Sequence, residues 1–157
     1  MQIKLLCIGK SVKGFLEDGE KHYLDKLKHY INFKLEMYPD VKQTKQTSED
    51  EIKKKESELF LSKLSNTDTV ILLDERGKQY SSIDFSEFLQ GYMNKGLKTL
   101  VFVVGGPYGF SEEMYKRANG QLSLSKMTLT HQMIRLFFIE QVYRGMTILK
   151  NEPYHHQ

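Results

Sequence analysis

The stretch from Leu100 to Arg144 limits what this chain can fold into more than any other. It opens with an unbroken apolar run, Leu100-Val-Phe-Val-Val104, which reads as a strand. A glycine hinge follows, Gly105-Gly-Pro-Tyr-Gly109, and then a short helix. The segment Leu122-Ser-Leu-Ser-Lys-Met-Thr-Leu-Thr-His131 then leads into an apolar helix from Gln132 to Arg144. Both chain crossings in this stretch fall at the tips of predicted strands, where open α/β sheets bind their ligands. The rest of the chain reads as support for a pocket at that place.

Taken in order, Ile3, Leu5, Leu6 and Ile8 make a first strand closed by Gly9. Phe15, Leu16, Tyr23, Leu24, Leu27, Tyr30 and Ile31 fall largely at three- and four-residue spacing, predicting a helix over about 13–30 with one buried face. Phe33, Leu35 and Met37 alternate with Lys34 and Glu36 in a half-exposed second strand ended by Pro39. After a polar loop, Ser48-Glu-Asp-Glu51 has the capping-box pattern, and Ile52, Leu59, Phe60 and Leu64 mark a second amphipathic helix. Thr69 to Leu73 is a third strand, of the kind buried on both faces of a parallel sheet, with Asp74-Glu-Arg-Gly-Lys78 as the turn at its end. Ser82 opens a helix, Leu97 to Val104 is the fourth strand, Ser111 to Ala118 a short helix and Gln121 to Ser125 the fifth strand. The last helix runs from about Thr130 to Leu149, before a polar tail, Asn151 to Gln157. This alternation predicts an α/β fold: a mostly parallel, doubly wound sheet of five strands with helices on both faces.

A length of 157 residues is enough for one domain, 1–157, and too short for two ordinary ones. The single cysteine, Cys7, excludes an intrachain disulfide and a thiolate metal cluster, and fits a reducing compartment; no metal site is expected. The first nine residues are too short for a signal sequence and are broken by Lys4. No apolar run approaches the ~20 residues of a membrane span, so a soluble, cytoplasmic protein without membrane attachment is expected. A net charge of +3 tolerates a nucleic-acid partner without demanding one.

Gly9-Lys10-Ser11 resembles the end of a phosphate-binding loop, but the loop needs a glycine where Lys4 stands, so a turn with a surface lysine is the better reading. No Gly-x-Gly-x-x-Gly follows any strand, which disfavours a dinucleotide cofactor. The hinge Gly105 to Gly109 lets backbone approach a ligand without an intervening Cβ, or it is an ordinary strand-to-helix turn. Leu124-Ser-Lys-Met-Thr-Leu129 either walls an apolar pocket with its backbone groups free to read a purine edge, or prolongs the fifth strand. The last helix is so apolar that it must be covered on more than one face, under the sheet or at a subunit interface. Its charges need partners: Glu140 and Arg144 have the i,i+4 spacing of a structural pair, while Arg144 could instead contact substrate. Chain ends usually fray, yet Tyr154 offers a ring to stack on a base and His155 an imidazole to hold a phosphate or take a proton.

Together these residues resemble the SPOUT-class RNA methyltransferases, and more narrowly the small single-domain family that methylates N3 of a pseudouridine in large-subunit (23S) ribosomal RNA. The matching pieces are Leu73-Asp74 with Gly77-Lys78, Val103 to Gly109, Leu122 to Leu129, His131-Gln132, Arg135, Glu140 to Arg144 and Pro153 to His155. They keep order and spacing across essentially the whole chain. Thr130 departs from the pattern, standing where the family usually has Pro; Thr can cap the helix that follows. The resemblance implies S-adenosylmethionine as cofactor, held by Leu73, Gly105 and the segment Leu124, Ser125, Lys126, Met127, Thr128 and Leu129. It implies a deep C-terminal trefoil knot, which the general rule against knots would not have suggested, and a homodimer. It also implies a ribosomal stem-loop as substrate, recognised on the assembled ribosome, with Arg144, Tyr154 and His155 holding the base and its charge. A SPOUT enzyme acting on another RNA and a non-catalytic ribosome-binding module are the alternatives.

Overall fold

The computed structural model describes residues 1–156. Five strands, β1 (Gln2–Ile8), β2 (Asn32–Tyr38), β3 (Thr69–Gln79), β4 (Thr99–Val104) and β5 (Gly120–Ser123), alternate with five helices, α1 (Phe15–Leu27), α2 (Glu49–Lys63), α3 (Ser82–Asn94), α4 (Glu112–Arg117) and α5 (His131–Leu149). The sheet order is β2-β1-β4-β3-β5, and every pairing among these strands is parallel.

A parallel sheet covered on both sides needs strands apolar on both sides, and β1, β3 and β4 supply them. Ile3, Leu5, Cys7, Ile71, Leu73, Leu100, Phe102 and Val104 face α1, α3 and α5 and pack with Leu27, Phe85, Leu89 and Phe138. Leu6, Val70, Leu72, Val101 and Val103 face the other way, onto Phe60 of α2 and Met114 of α4. The Phe102 and Phe138 rings, both fully buried, lie 4.6 Å apart and fasten α5 to the middle of the sheet. No helix among the described residues is long and apolar enough to cross a membrane.

Side-chain caps fix several helix starts. Ser48 accepts a hydrogen bond from the Glu51 amide, as the capping-box pattern predicts. At α3 the cap is Ser81 rather than Ser82, in a reciprocal box with Asp84. Thr130 caps α5 by accepting from the Met133 amide at 3.2 Å, so the departure from the family's Pro leaves the helix properly started.

One expectation is corrected. Asp74 to Lys78 is not a turn; β3 runs on to Gln79, with a shift of register after Leu73 that re-pairs Lys78 with Leu122 and Gln79 with Ser123. Gly77 makes this possible. A Cβ there would lie 2.5 to 2.7 Å from backbone atoms of Leu122 and Gln121, so the two backbones pass in direct contact.

Candidate functional site

The tips of β3, β4 and β5 enclose a cleft of about 510 Å³, well within the range of small-molecule sites, about 300–1,000 Å³. Its floor is apolar: Leu73, Val104 and Leu122 end the three strands, and Ile134 of α5 closes one side. The hinge after β4 forms a second wall. Gly109, at φ +79, closes a tight turn in which its amide donates to the Gly106 carbonyl at 3.1 Å. At Gly105 a Cβ would lie 3.1 Å from the Phe110 ring, so glycine keeps this wall thin.

The third wall is the segment after β5. The strand stops at Ser123, and the following residues form a loop rather than its continuation. Ser123 Oγ donates to the Ser125 carbonyl at 3.1 Å, and Ser125 Oγ accepts from the Met127 amide at 2.9 Å, which shapes the loop without any glycine. Leu124, Ser125, Met127, Thr128 and Leu129 line the cleft, as do Leu73 and Gly105. Lys126 does not; it is exposed between lining residues and takes part only through its place in the loop.

The rim is polar. Asp74, whose side chain is only 8% exposed, accepts from the Arg76 amide at 2.9 Å and from the Tyr115 hydroxyl. Burial pushes its carboxyl up, but the bonds from Tyr115 and Arg76 outweigh it and hold the group below the usual carboxylate range. The carboxylate is therefore ionised at the border of the cleft and ion-paired there, at 3.4 Å, with Nε of Arg76, which lines the cleft too. Sequence reading missed this group because Asp74 and Arg76 look like turn residues until β3 is seen to continue and Tyr115 of α4 to reach across.

Arg144, Tyr154 and His155 come together, but elsewhere. Helix α5 ends in a Schellman motif: Asn151, at φ +55, is left-handed, its amide donates to the Ile148 carbonyl, and the Glu152 amide donates to the Thr147 carbonyl, both at 3.0 Å. That reversal lays the tail back along α5. Glu140 is the hub of the resulting cluster, bonded by Arg144 Nη2 at 2.5 Å and by the Tyr154 hydroxyl at 2.9 Å. Arg144 also stacks over the Tyr154 ring, 4.7 Å from its centroid, and its Nη1 lies 3.3 Å from His155 Nδ1. Tyr23 of α1 reaches the Tyr154 hydroxyl at 3.3 Å. The tail is docked rather than frayed, and Glu140 and Arg144 are indeed paired.

Two titrations in this cluster shift in a coherent direction. Burial, with the bonds to Tyr23 and Glu140, drives the Tyr154 hydroxyl far above the ordinary phenol range, so it remains a donor. The Glu140 partnership raises Arg144 further still. This cluster and the cleft lie at opposite ends of α5: His131 lines the cleft and Arg144 is thirteen residues on, about 20 Å at 1.5 Å per residue. Outward-facing Met133 and Phe137, 38% and 40% exposed, lie between them on the same helix.

A family model described as a predicted SPOUT methyltransferase matches residues 1–155. The ribosomal RNA large subunit methyltransferase H of Christiangramia forsetii is 62% identical over 157 residues, covering 100% of both chains. That of Flavobacterium johnsoniae is 61% identical and that of Bacteroides thetaiotaomicron 47%, again over 100% of both chains. Among solved structures, the SpoU methyltransferase AviRb from Streptomyces viridochromogenes, in complex with AdoMet, matches at 9% identity and a TM-score of 0.44 over 96% of this chain and 61% of that one.

Proposed function

The chain belongs to the SPOUT methyltransferase family, and from that premise we propose that it transfers a methyl group from S-adenosylmethionine to N3 of a pseudouridine in a stem-loop of 23S ribosomal RNA, on the assembled ribosome in the cytoplasm. The observation that carries this reading is the cleft at the tips of β3, β4 and β5, in a chain 62% identical from end to end to a ribosomal RNA large subunit methyltransferase. A non-catalytic module would have no use for a thin glycine wall and a shaped loop around an apolar floor.

S-adenosylmethionine supplies an electrophilic methyl group on a sulfonium. Leu73, Gly105, Leu124, Ser125, Met127, Thr128 and Leu129 would hold it, with Lys126 contributing only backbone. Since the sulfonium is already reactive, the protein's task is alignment, together with disposal of the imide proton.

The tail cluster is suited to the second task as a set of donors. Tyr154 is held protonated and Arg144 is a permanent cation, so both stabilise negative charge left on a base rather than accept its proton. The Arg144 guanidinium, which only donates, faces Nδ1 of His155 at 3.3 Å and so holds the ring beside the two donors. In this reading neither Arg144 nor Tyr154 serves as the base.

For donors and cleft to meet, they must come from different copies. The proposal therefore includes a homodimer built on the exposed face of α5, supported by Met133, Phe137 and the roughly 20 Å between the two clusters. It also includes a single domain with a C-terminal trefoil knot, supported by the family model that spans residues 1–155.

The test is transfer of labelled methyl from S-adenosylmethionine to intact ribosomes lacking the modification, with naked ribosomal RNA alongside, followed by mass mapping. Label at N3 of one pseudouridine, on ribosomes only, is the expected result. Label on a different RNA, or none despite cofactor binding, would overturn the substrate assignment.

A further inference from the structure

We propose that Glu56 is a positioning residue for the cofactor: from α2 it holds the hinge between Gly105 and Phe110 in the shape that keeps the cleft open, with Ser57 gripping the far end of the same hinge. The inference rests on the reading of the cleft as the S-adenosylmethionine site. Glu56 does not line the cleft, and no chemistry is assigned to it.

On α2, a mostly charged helix, Glu56 is 5% exposed and Ser57 2%. Burying a carboxylate is costly unless its surroundings compensate, and here they are provided by the hinge. The Gly106 backbone lies directly against the carboxylate, and its amide is the group that pulls the carboxyl's titration down. The approach is so close that a Cβ on Gly106 would lie 2.2 and 2.4 Å from the two carboxylate oxygens, so any side chain at 106 would have to push the Glu56 carboxylate aside. One residue along the helix, Ser57 Oγ accepts from the Ser111 amide at 3.1 Å, and Ser111 in turn caps α4. Consecutive residues of α2 thus hold both ends of the segment that forms the cleft's second wall.

The electrostatics show that the carboxyl is kept at a cost. Burial pushes the Glu56 carboxyl up, the Gly106 amide pulls it down, and Asp40 pushes it up again. Its Oε2 has no hydrogen-bond partner among the described residues. A group kept under such conditions for stability alone would be better replaced by an apolar side chain. What an apolar side chain cannot do is fix the Gly106 amide and so aim the hinge.

Calorimetric titration of the full chain with S-adenosylmethionine tests this, and absence of binding by the unmodified protein would instead defeat the cofactor assignment. Glu56→Ala should raise the cofactor Kd about tenfold by freeing the amide, and Glu56→Gln, which keeps an acceptor in the same place, should stay within about twofold of the unmodified protein. In turnover, KM for the cofactor should rise in Glu56→Ala while kcat and KM for ribosomes hold. Gly106→Ala should also weaken binding, and the double variant Glu56→Ala/Gly106→Ala should bind more tightly than Gly106→Ala alone, because the methyl group enters vacated space. Unchanged cofactor affinity in Glu56→Ala, or additive losses in the double variant, would overturn the proposal. Should Glu56→Ala not fold, Ser57→Ala decides: a severalfold rise in Kd supports the clamp, and an unchanged Kd removes it.

Discussion

Replacing Gly77 by alanine probes the point on which both the sheet and the cleft depend. The added Cβ would lie 2.5 Å from Leu122 N, 2.6 Å from its carbonyl carbon and 2.7 Å from that of Gln121, against 3.4 Å or more for ordinary contact. These are backbone atoms, so no side chain can swing aside, and β3 must part from β5 by about 1 Å. Overpacking of that kind costs about 1–3 kcal/mol. Loss of the ladder bonds around Lys78↔Leu122 and Gln79↔Ser123 adds about 0.5–1.5 kcal/mol each. The sum, about 2–6 kcal/mol, is a large part of a typical domain's 5–15 kcal/mol. At about 2–4 °C per kcal/mol for a chain of this size, Tm should fall by roughly 4–24 °C. The displaced strand carries Leu122 and Ser123 and leads into Leu124, all lining the cleft, so cofactor affinity should fall at least tenfold at a temperature where the protein is still folded. Thermal melts by circular dichroism and cofactor titration read the two effects independently. A Gly77→Ala protein with Tm within about 2 °C of the unmodified chain and unchanged cofactor affinity would refute the argument that the backbones cross in contact.

Three further perturbations address separate parts of the molecule. Gly105→Arg should fill the cleft and abolish cofactor binding, deletion of Pro153 to Gln157 should spare binding and abolish turnover, and mixing the two inactive proteins should restore about a quarter of normal activity if sites are shared between copies; an inactive mixture that sedimentation shows to be heterodimeric would refute the shared site. Thr130→Ala removes the α5 cap and should cost about 1 kcal/mol, seen as a Tm lower by roughly 2–4 °C. Asp74→Asn should destabilise the protein at neutral pH. Because the folded carboxyl titrates below its unfolded value of about 3.9, its contribution is present above that pH and is lost as acid carries the protein down through the folded pKa. The gap between variant and unmodified protein should therefore close below about pH 4, and a gap independent of pH would contradict the ion-paired reading.

Much of this architecture was legible in the sequence because its signals are local. Apolar runs such as Thr69 to Leu73 and Leu100 to Val104 declare buried parallel strands, and the hinge Gly105 to Gly109 marks the end of one. What escaped depends on partners distant in the chain. Asp74 to Lys78 has the composition of a turn, and becomes strand only because β5, over forty residues later, pairs with it. The Leu124 to Leu129 loop lacks glycine because two serine hydroxyls supply its hydrogen bonds, a device that composition does not reveal. Glu56 lies in Lys53-Lys-Lys-Glu-Ser-Glu58, which reads as a solvated helix face until Gly106 is found against it. Tyr23 gives no sign of its role until the tail folds back over α1.

The arrangement of α5 is what leads the proposed reaction to call for a second copy of a chain whose cleft is already complete. Its nineteen residues form one rigid rod. The first turn lines the cleft through His131 and Ile134, and its last turns carry Arg144 and the Schellman reversal that docks Tyr154 and His155. Bending the helix to join its ends would break the packing of Phe138, Ile139 and Val142, all fully buried against the sheet. A rigid rod cannot bring its own ends together, but two such rods related by a two-fold axis place the start of each beside the end of the other. Met133 and Phe137 lie on the stretch such a pairing would cover, which gives their exposure a physical reason. In the proposed dimer, loss of the interface would therefore leave cofactor affinity untouched and remove turnover. Phe137→Glu, sedimenting as a monomer, should show that separation, and a monomer with normal turnover would mean that both steps of the reaction are served by one chain.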